Sequence, residues 1–474
     1  MNVGLNLAVV GLVAAATVLV GFRGLGRRRT TEDVFVAARS VRPWWNASAI
    51  GGEYLSAASF LGVAGLIVLS GRDGLWYPVG YAAGFLMLLL FVAAPLRRSG
   101  AYTLPDFALV RFGSERAAKA LGYAVLGVGW LYVLPQMHGA SLTFSTVLGT
   151  PGWVGPLAVT AVVLASVLPG GMRSVTLVQA MQYWVKVAAL AIPLFALLLA
   201  GGLGRAASAP GSLPEPSQSP LVTVSLLVAL VFGTLGLPHV LVRFYTNPDG
   251  ASARTTTVLV LALVCGFYLL PTALGFIAVS VGGLPPGTPA DATVLLLPAH
   301  LLPGPTGVII GAIVAGGAFA AFVSTSSGLC IALAGVIARR FFAGSVSGFR
   351  RGALIAALVP GALALLTSSS AIAGVIGSVF ALTASTIAPV LLAGIWWRGA
   401  SAAGAIAGML TGAGVWLLCT GSTALGWGGG LGGLVQQPAL LSVPAACLAL
   451  VIFSRLRPDD EGRASAVLRR LHTP

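Results

Sequence analysis

From Met1 to Phe22 the chain carries no charged side chain, and apolar runs of this kind recur along its whole length. A run of about 20 residues, rising 1.5 Å per residue as a helix, reaches across a hydrocarbon layer about 30 Å thick. These runs cannot all be hidden in a water-soluble core. Of the 474 residues 57% are hydrophobic and only 8% charged, where a soluble domain has roughly 25% charged residues. Too little polar surface is left to face water, so lipid is the solvent in which this chain folds.

Thirteen runs are placed as spans, near residues 4–22, 45–70, 77–96, 117–146, 153–169, 175–202, 220–240, 255–282, 303–338, 352–368, 370–396, 401–420 and 438–454. An odd count puts the termini on opposite faces, and the basic residues say which is which, because Lys and Arg collect on the cytoplasmic side. The loops after the odd-numbered spans, with the C-terminal tail, hold all but three of the 27 basic residues, the exceptions being Arg72, Arg205 and Lys186. Arg23, Arg27, Arg28 and Arg29 follow the first span, Arg97, Arg98 and Arg111 the third, Arg243 and Arg254 the seventh. The reading is a multi-pass protein of the cell (inner) membrane, N-terminus outside and C-terminus cytoplasmic. The first run has no basic segment before it and a basic cluster after it, which marks a spanning helix rather than a secretory signal. The net charge of +15 is a product of this sorting, and no nucleic-acid partner is expected. The cysteines, Cys265, Cys330, Cys419 and Cys447, lie in apolar runs without metal-ligand spacing and read as small core residues. Ser454–Pro474 reads as a short surface helix, too short for a catalytic domain.

Ionisable groups inside a membrane are expensive and mark function by default. Within the spans they are Glu53 and Lys186, with His138 and His239 near helix interiors or ends. No acid pair, Ser-His-Asp order or metal-ligand helix motif accompanies them, so an enzyme is not expected. The segment Gly51-Gly52-Glu53-Tyr54-Leu55-Ser56-Ala57-Ala58-Ser59 puts glycines, a carboxylate and two hydroxyls in mid-span. An unwound break there would free carbonyls and amides for ions and solute; the alternative is close packing of small residues. A second patch, Ala321-Phe322-Val323-Ser324-Thr325-Ser326-Ser327, sits in the ninth run. Its hydroxyls either bond back to their own helix or supply hard oxygen ligands to a small cation. Together the patches suggest one bipartite site near the midplane of an inverted-repeat transporter.

These residues resemble the sodium:solute symporter family, and within it the cation:acetate (monocarboxylate) branch. The match is carried by Gly52–Gly62 with Ser70-Gly71-Arg72-Asp73-Gly74, by Gly170-Gly171-Met172 leading to Val178-Gln179, by Gly233–Phe244 and by Ala321–Thr325. The resemblance implies an all-α, LeuT-type core of two inverted five-helix repeats, over 45–202 and 220–396. An extra helix over 1–22 would precede it, with two more spans over 401–454 and a cytoplasmic tail over 455–474. It also implies a sodium site made of Gly52, Leu55, Ala321, Ser324 and Thr325, with Ser326 and Ser327 left to packing. No cofactor is implied beyond sodium as coupling ion. Gln179 stands where many relatives carry aspartate, a change that favours a monocarboxylate over a sugar. The branch tends to have lysine where this chain has Gln182, and Lys186 lies one turn on.

The function implied is sodium-coupled uptake of a small monocarboxylate such as acetate, propionate or pyruvate by alternating access. Its carboxylate would sit near Ser56, Ala57, Ala58 and Ser59, at the positive end of the second half-helix, with Gln179 on the solute side. Rival readings are an amino-acid substrate, proton coupling through Glu53, and a non-transporting sensor. Glu53 is expected to pair with Lys186 or to cap freed amides while Lys186 snorkels. His239 is expected near the cytoplasmic end of the sixth core helix, as a gate or as a C-terminal histidine bonded to free carbonyls. The topology has a direct test: a reporter active only in the cytoplasm is active when fused after Pro474 and silent when fused within 206–218. The reverse pattern overturns the map.

Overall fold

Each of the apolar runs becomes helix, and no β-strand occurs among the described residues. The computed structural model describes residues 2–22, 31–202, 218–282, 284–285, 287–367, 372–426 and 432–473. Arg23, Arg27, Arg28, Arg29 and Arg205, which entered the charge argument, lie outside the described residues, as does nearly all of the loop 206–218.

The main helices are α1 (Val3–Phe22), α2 (Pro43–Tyr54), α3 (Val63–Ser70), α4 (Trp76–Phe91), α5 (Glu115–Leu148), α6 (Val154–Leu197), α7 (Pro220–Leu235) and α8 (Pro238–Phe244). They continue with α9 (Gly250–Ser280), α10 (Gly304–Phe341), α11 (Val346–Leu366), α12 (Ile372–Trp396), α13 (Ala402–Ala424), α14 (Ala439–Leu456) and α15 (Glu461–His472). Among the described residues, 11 helices are long and apolar enough to cross a membrane, rather than the thirteen expected. The fifth expected span, Val154–Pro169, is a shorter apolar helix. The second and third run together from Ala58 to Phe91, turning at Gly71, where φ is 55°.

Helix starts are written in the sequence. Ser114, Ser219, Asp249, Ser345 and Ser401 each accept an amide from the first turn of the helix that follows, which satisfies donors a helix leaves open. At the centre lies α10, in which every residue from Val314 to Ala338 is buried. It packs on α1, α5, α6 and α11, while α7 packs between α4 and α12. The terminal helix α15 docks rather than floats: Leu471 is buried, its carbonyl accepts from Arg98 at 3.2 Å and His472 Nε2 meets the Ile395 carbonyl at 2.8 Å.

Two of the basic residues assigned to cytoplasmic loops are in fact inside the protein. Arg111 and Arg243 are each 1% exposed. Arg111 holds the end of α12, donating to the carbonyls of Gly394 at 2.8 Å and Trp397 at 2.9 Å.

α6 joins two expected spans through a kink at Gly171, where φ is 61° and ψ −171°. That region is essentially closed to residues with a Cβ and costs about 1–3 kcal/mol when forced. A Cβ at Gly171 would also stand 3.2 Å from the Val34 Cα. Gly171→Ala should therefore lower the unfolding temperature in detergent. Gly127→Ala, in α5 with nothing within 4 Å of its Cβ position, should leave it unchanged or raise it slightly, since Ala is the better helix former.

Candidate functional site

Two helices break in the middle of the molecule. α2 ends at Tyr54, Leu55 takes φ −73° and ψ 83°, and helical geometry resumes at Ala57. The break expected from the Gly51–Ser59 segment is therefore present. Its glycines let α6 come close: a Cβ on Gly52 would lie 2.2 Å from the Gln179 carbonyl oxygen, and one on Gly51 2.9 Å from the Tyr183 ring. The second break separates α7 from α8 at Gly236 and Leu237. Pro238 opens α8 and excludes the residue before it from the helical region, and Leu237 accordingly has ψ 114°.

The ninth-run hydroxyls close on the first break. Ser324 Oγ donates to the Gly52 carbonyl at 2.7 Å or to its own helix at Ala321, 3.1 Å. Thr325 Oγ1 donates to the Glu53 carbonyl at 2.6 Å. Both readings of this patch are thus realised in Ser324, which bonds back and across. Ser326 and Ser327 are buried, and their hydroxyls have no protein partner.

Lys186, on α6, reaches the same place. Its Nζ donates to the Gly52 carbonyl, to the Leu55 carbonyl at 2.7 Å and to Ser324 Oγ at 2.9 Å. Three of the five oxygens expected to hold sodium therefore hold an ammonium. With these atoms so arranged a sodium ion does not fit at Gly52, Leu55, Ala321, Ser324 and Thr325.

The expected Glu53–Lys186 pair is not formed. Glu53 pairs instead with Arg243, Nε to Oε2 at 3.0 Å, with both side chains buried. Arg243 also donates to Thr176 Oγ1 at 2.6 Å, to Met172 Sδ at 3.2 Å and to Gln179 Oε1. Gln179 Nε2 passes the chain on to the Ser324 carbonyl at 2.9 Å. Both ends of the Gln179 amide are thus engaged by protein, so Gln179 is a strut rather than a group facing the solute. The sequence reading missed Arg243 because it ended the seventh span at residue 240 and counted what followed as loop. The signal was Gly-Leu-Pro at 236–238: a break there leaves the next turn still inside.

The second helical segment after the first break carries Ser56, Ala57, Ala58 and Ser59, all buried. The Ala57 amide is not open to a solute, because Gln136 Oε1 accepts from it at 2.9 Å. Ser59 Oγ lies 2.9 Å from the Tyr268 hydroxyl. Tyr132, one turn before Gln136 on α5, lies with its ring 5.2 Å from that of His239. One face of α5 therefore touches both breaks. His239 is the second residue of α8, fully buried, with neither ring nitrogen bonded to protein. It is neither at a helix C-terminus nor bonded to carbonyls. The Tyr81 hydroxyl is likewise buried and unpartnered, and that ring stacks on Tyr268 at 5.6 Å. His138, by contrast, is occupied, its Nε2 3.1 Å from Thr367 Oγ1.

The profile of the sodium:solute symporter family matches residues 34–412. An uncharacterised symporter of Bacillus subtilis, YwcA, is 28% identical over 99% of this chain and 97% of its own. Among solved structures, a Na+-coupled sialic acid symporter in its substrate-bound, outward-open state superposes with a TM-score of 0.77 over 96% of this chain and 99% of its own, at 16% identity. A nucleobase-cation-symport-1 family transporter in a closed conformation gives 0.51 over 92% and 98%, also at 16% identity. At such identities the superpositions speak for the fold, a LeuT-type all-helical core.

The buried pair makes the sharpest claim about stability at this site. Removing one partner leaves a charge stranded in the interior, at a cost of about 3–5 kcal/mol. Glu53→Gln and Arg243→Met should each lower the unfolding temperature of the detergent-purified protein strongly. The double variant should lose less than the sum of the two. Strict additivity would show the two groups to be energetically independent.

Proposed function

Because the chain belongs to the sodium:solute symporter family, we propose that it takes up a small monocarboxylate, such as acetate, propionate or pyruvate, by cation-coupled alternating access. The observation that carries this reading is the pair of opposed helix breaks, at Leu55–Ser56 and Gly236–Leu237, bridged by one face of α5. Paired breaks of this kind place backbone dipoles at the middle of a membrane, where rocking of one repeat against the other exposes them to each side in turn.

The solute lies between the breaks in this proposal. Ser56, Ala58 and Ser59 flank it on one side, and the unpartnered His239 and Tyr81 supply polar atoms on the other. The amino end of the second half-helix favours a carboxylate there through its dipole and without a permanent cation. Arg243 is no competitor for that carboxylate, being committed to Glu53, Thr176 and Gln179. Aromatic rings close the space around a small solute: Phe380 lies 5.1 Å from Tyr81 and 5.8 Å from Tyr132. The family name and the sialic acid symporter make sodium the first cation to test as the driving ion. The proposed orientation in the cell membrane is N-terminus outside and C-terminus cytoplasmic.

Uptake into proteoliposomes tests this reading. Labelled acetate or pyruvate should accumulate above equilibrium when an inward cation gradient is imposed, with sodium and pH gradients applied separately, and labelled proline should not. Accumulation of proline in place of the carboxylates would move the substrate to the amino acids. Accumulation of none of the three, by protein shown to be folded, would overturn the monocarboxylate reading.

A further inference from the structure

We propose that Lys186 is a built-in cation that permanently takes the ion's place at the first helix break, so that no sodium binds at Gly52, Leu55 and Ser324 in this chain. The argument is one of geometry and valence. A lysine ammonium has three N–H donors and no acceptor. Here the three find three oxygens, the Gly52 carbonyl, the Leu55 carbonyl and Ser324 Oγ. Nothing in the set is left over. Ser324 Oγ accepts from the ammonium and directs its one proton to a carbonyl, while Thr325 Oγ1 is turned to the Glu53 carbonyl.

The same physics that would hold sodium holds the ammonium. The carbonyls of Gly52 and Leu55 lie where the helical ladder of α2 stops, at the negative end of a half-helix dipole. That end attracts a cation whether the cation arrives from solution or on a side chain. Lys186 is fully buried and has no carboxylate within ion-pair distance among the described residues, so the carbonyls are what stabilise its charge. A second cation within bonding distance of the same oxygens would meet the first with no water between them. A tethered cation also cannot dissociate. The α2–α6–α10 junction is therefore pinned through a cycle in which a free ion would have to come and go, and any ion that drives transport binds somewhere else.

The inference rests on reading this fold as a symporter only for that last consequence; its test is binding, and needs no transport. Equilibrium binding of radioactive sodium to the detergent-purified chain is measured for the wild type, Lys186→Ala, the double variant Lys186→Ala/Ser324→Ala, and Ser324→Ala alone, with choline holding ionic strength constant. Lys186→Ala should gain one saturable sodium per chain, or an affinity at least tenfold above the wild type, and adding Ser324→Ala should remove the gain. Lys186→Ala behaving as the wild type would overturn the proposal. Should that variant fail to fold, the wild type and Ser324→Ala decide between them. A sodium ion lost on Ser324→Ala means the native site holds sodium and the proposal is wrong; unchanged sodium binding upholds it.

Discussion

A helix broken inside hydrocarbon strands backbone groups that no water can reach, and much of this structure follows from satisfying those at Leu55 and Ser56. Each unsatisfied group would cost several kcal/mol, so side chains must come from elsewhere in the chain to meet them. Lys186 comes from α6, Ser324 and Thr325 from α10, and Gln136 from α5 to cap the Ala57 amide. Three helices are thus committed to one discontinuity. The burial of α10 from Val314 to Ala338 is the packing counterpart of that commitment.

Around the break two positive charges are buried, and the chain handles them in different ways. Arg243 presents a planar fork and receives oxygens suited to it: the Glu53 carboxylate, the Thr176 hydroxyl and the Gln179 amide. Lys186 is a compact point charge, and it is met by oxygens grouped around a point. Exchanging the two residues would put each in the wrong geometry. Gln179 and Ser324 tie the two charges into one network, since Gln179 touches Arg243 with its oxygen and the Ser324 carbonyl with its nitrogen.

The glycines near the site work by absence of volume. Gly52 admits the α6 backbone at Gln179, and Gly328 leaves room for the Glu53 carboxylate, whose Oε2 would stand 2.4 Å from a Cβ there. Close approach of this kind is how helices associate in lipid, where water gives no drive for apolar burial between them. It also brings the polar side chains within bonding range of one another, so packing and electrostatics at this site are one arrangement rather than two.

The spans, their helical nature and the place of both breaks are legible in the sequence, because each rests on a local rule: apolar length, glycine and hydroxyls in mid-run, proline after a break. The grouping of Gly52 and Leu55 with Ser324 was legible too, as a resemblance, and the structure does bring those residues together. What the sequence could not say is which charge goes where. Glu53 and Lys186 are the charged residues within the assigned spans, and on that ground alone they should pair. Only the fold shows that α8 turns Arg243 inward to Glu53 and leaves Lys186 to the carbonyls. Partner choice among buried charges depends on distances of a few ångströms between helices remote in sequence. Those distances are set by tertiary packing and not by any local pattern of residues.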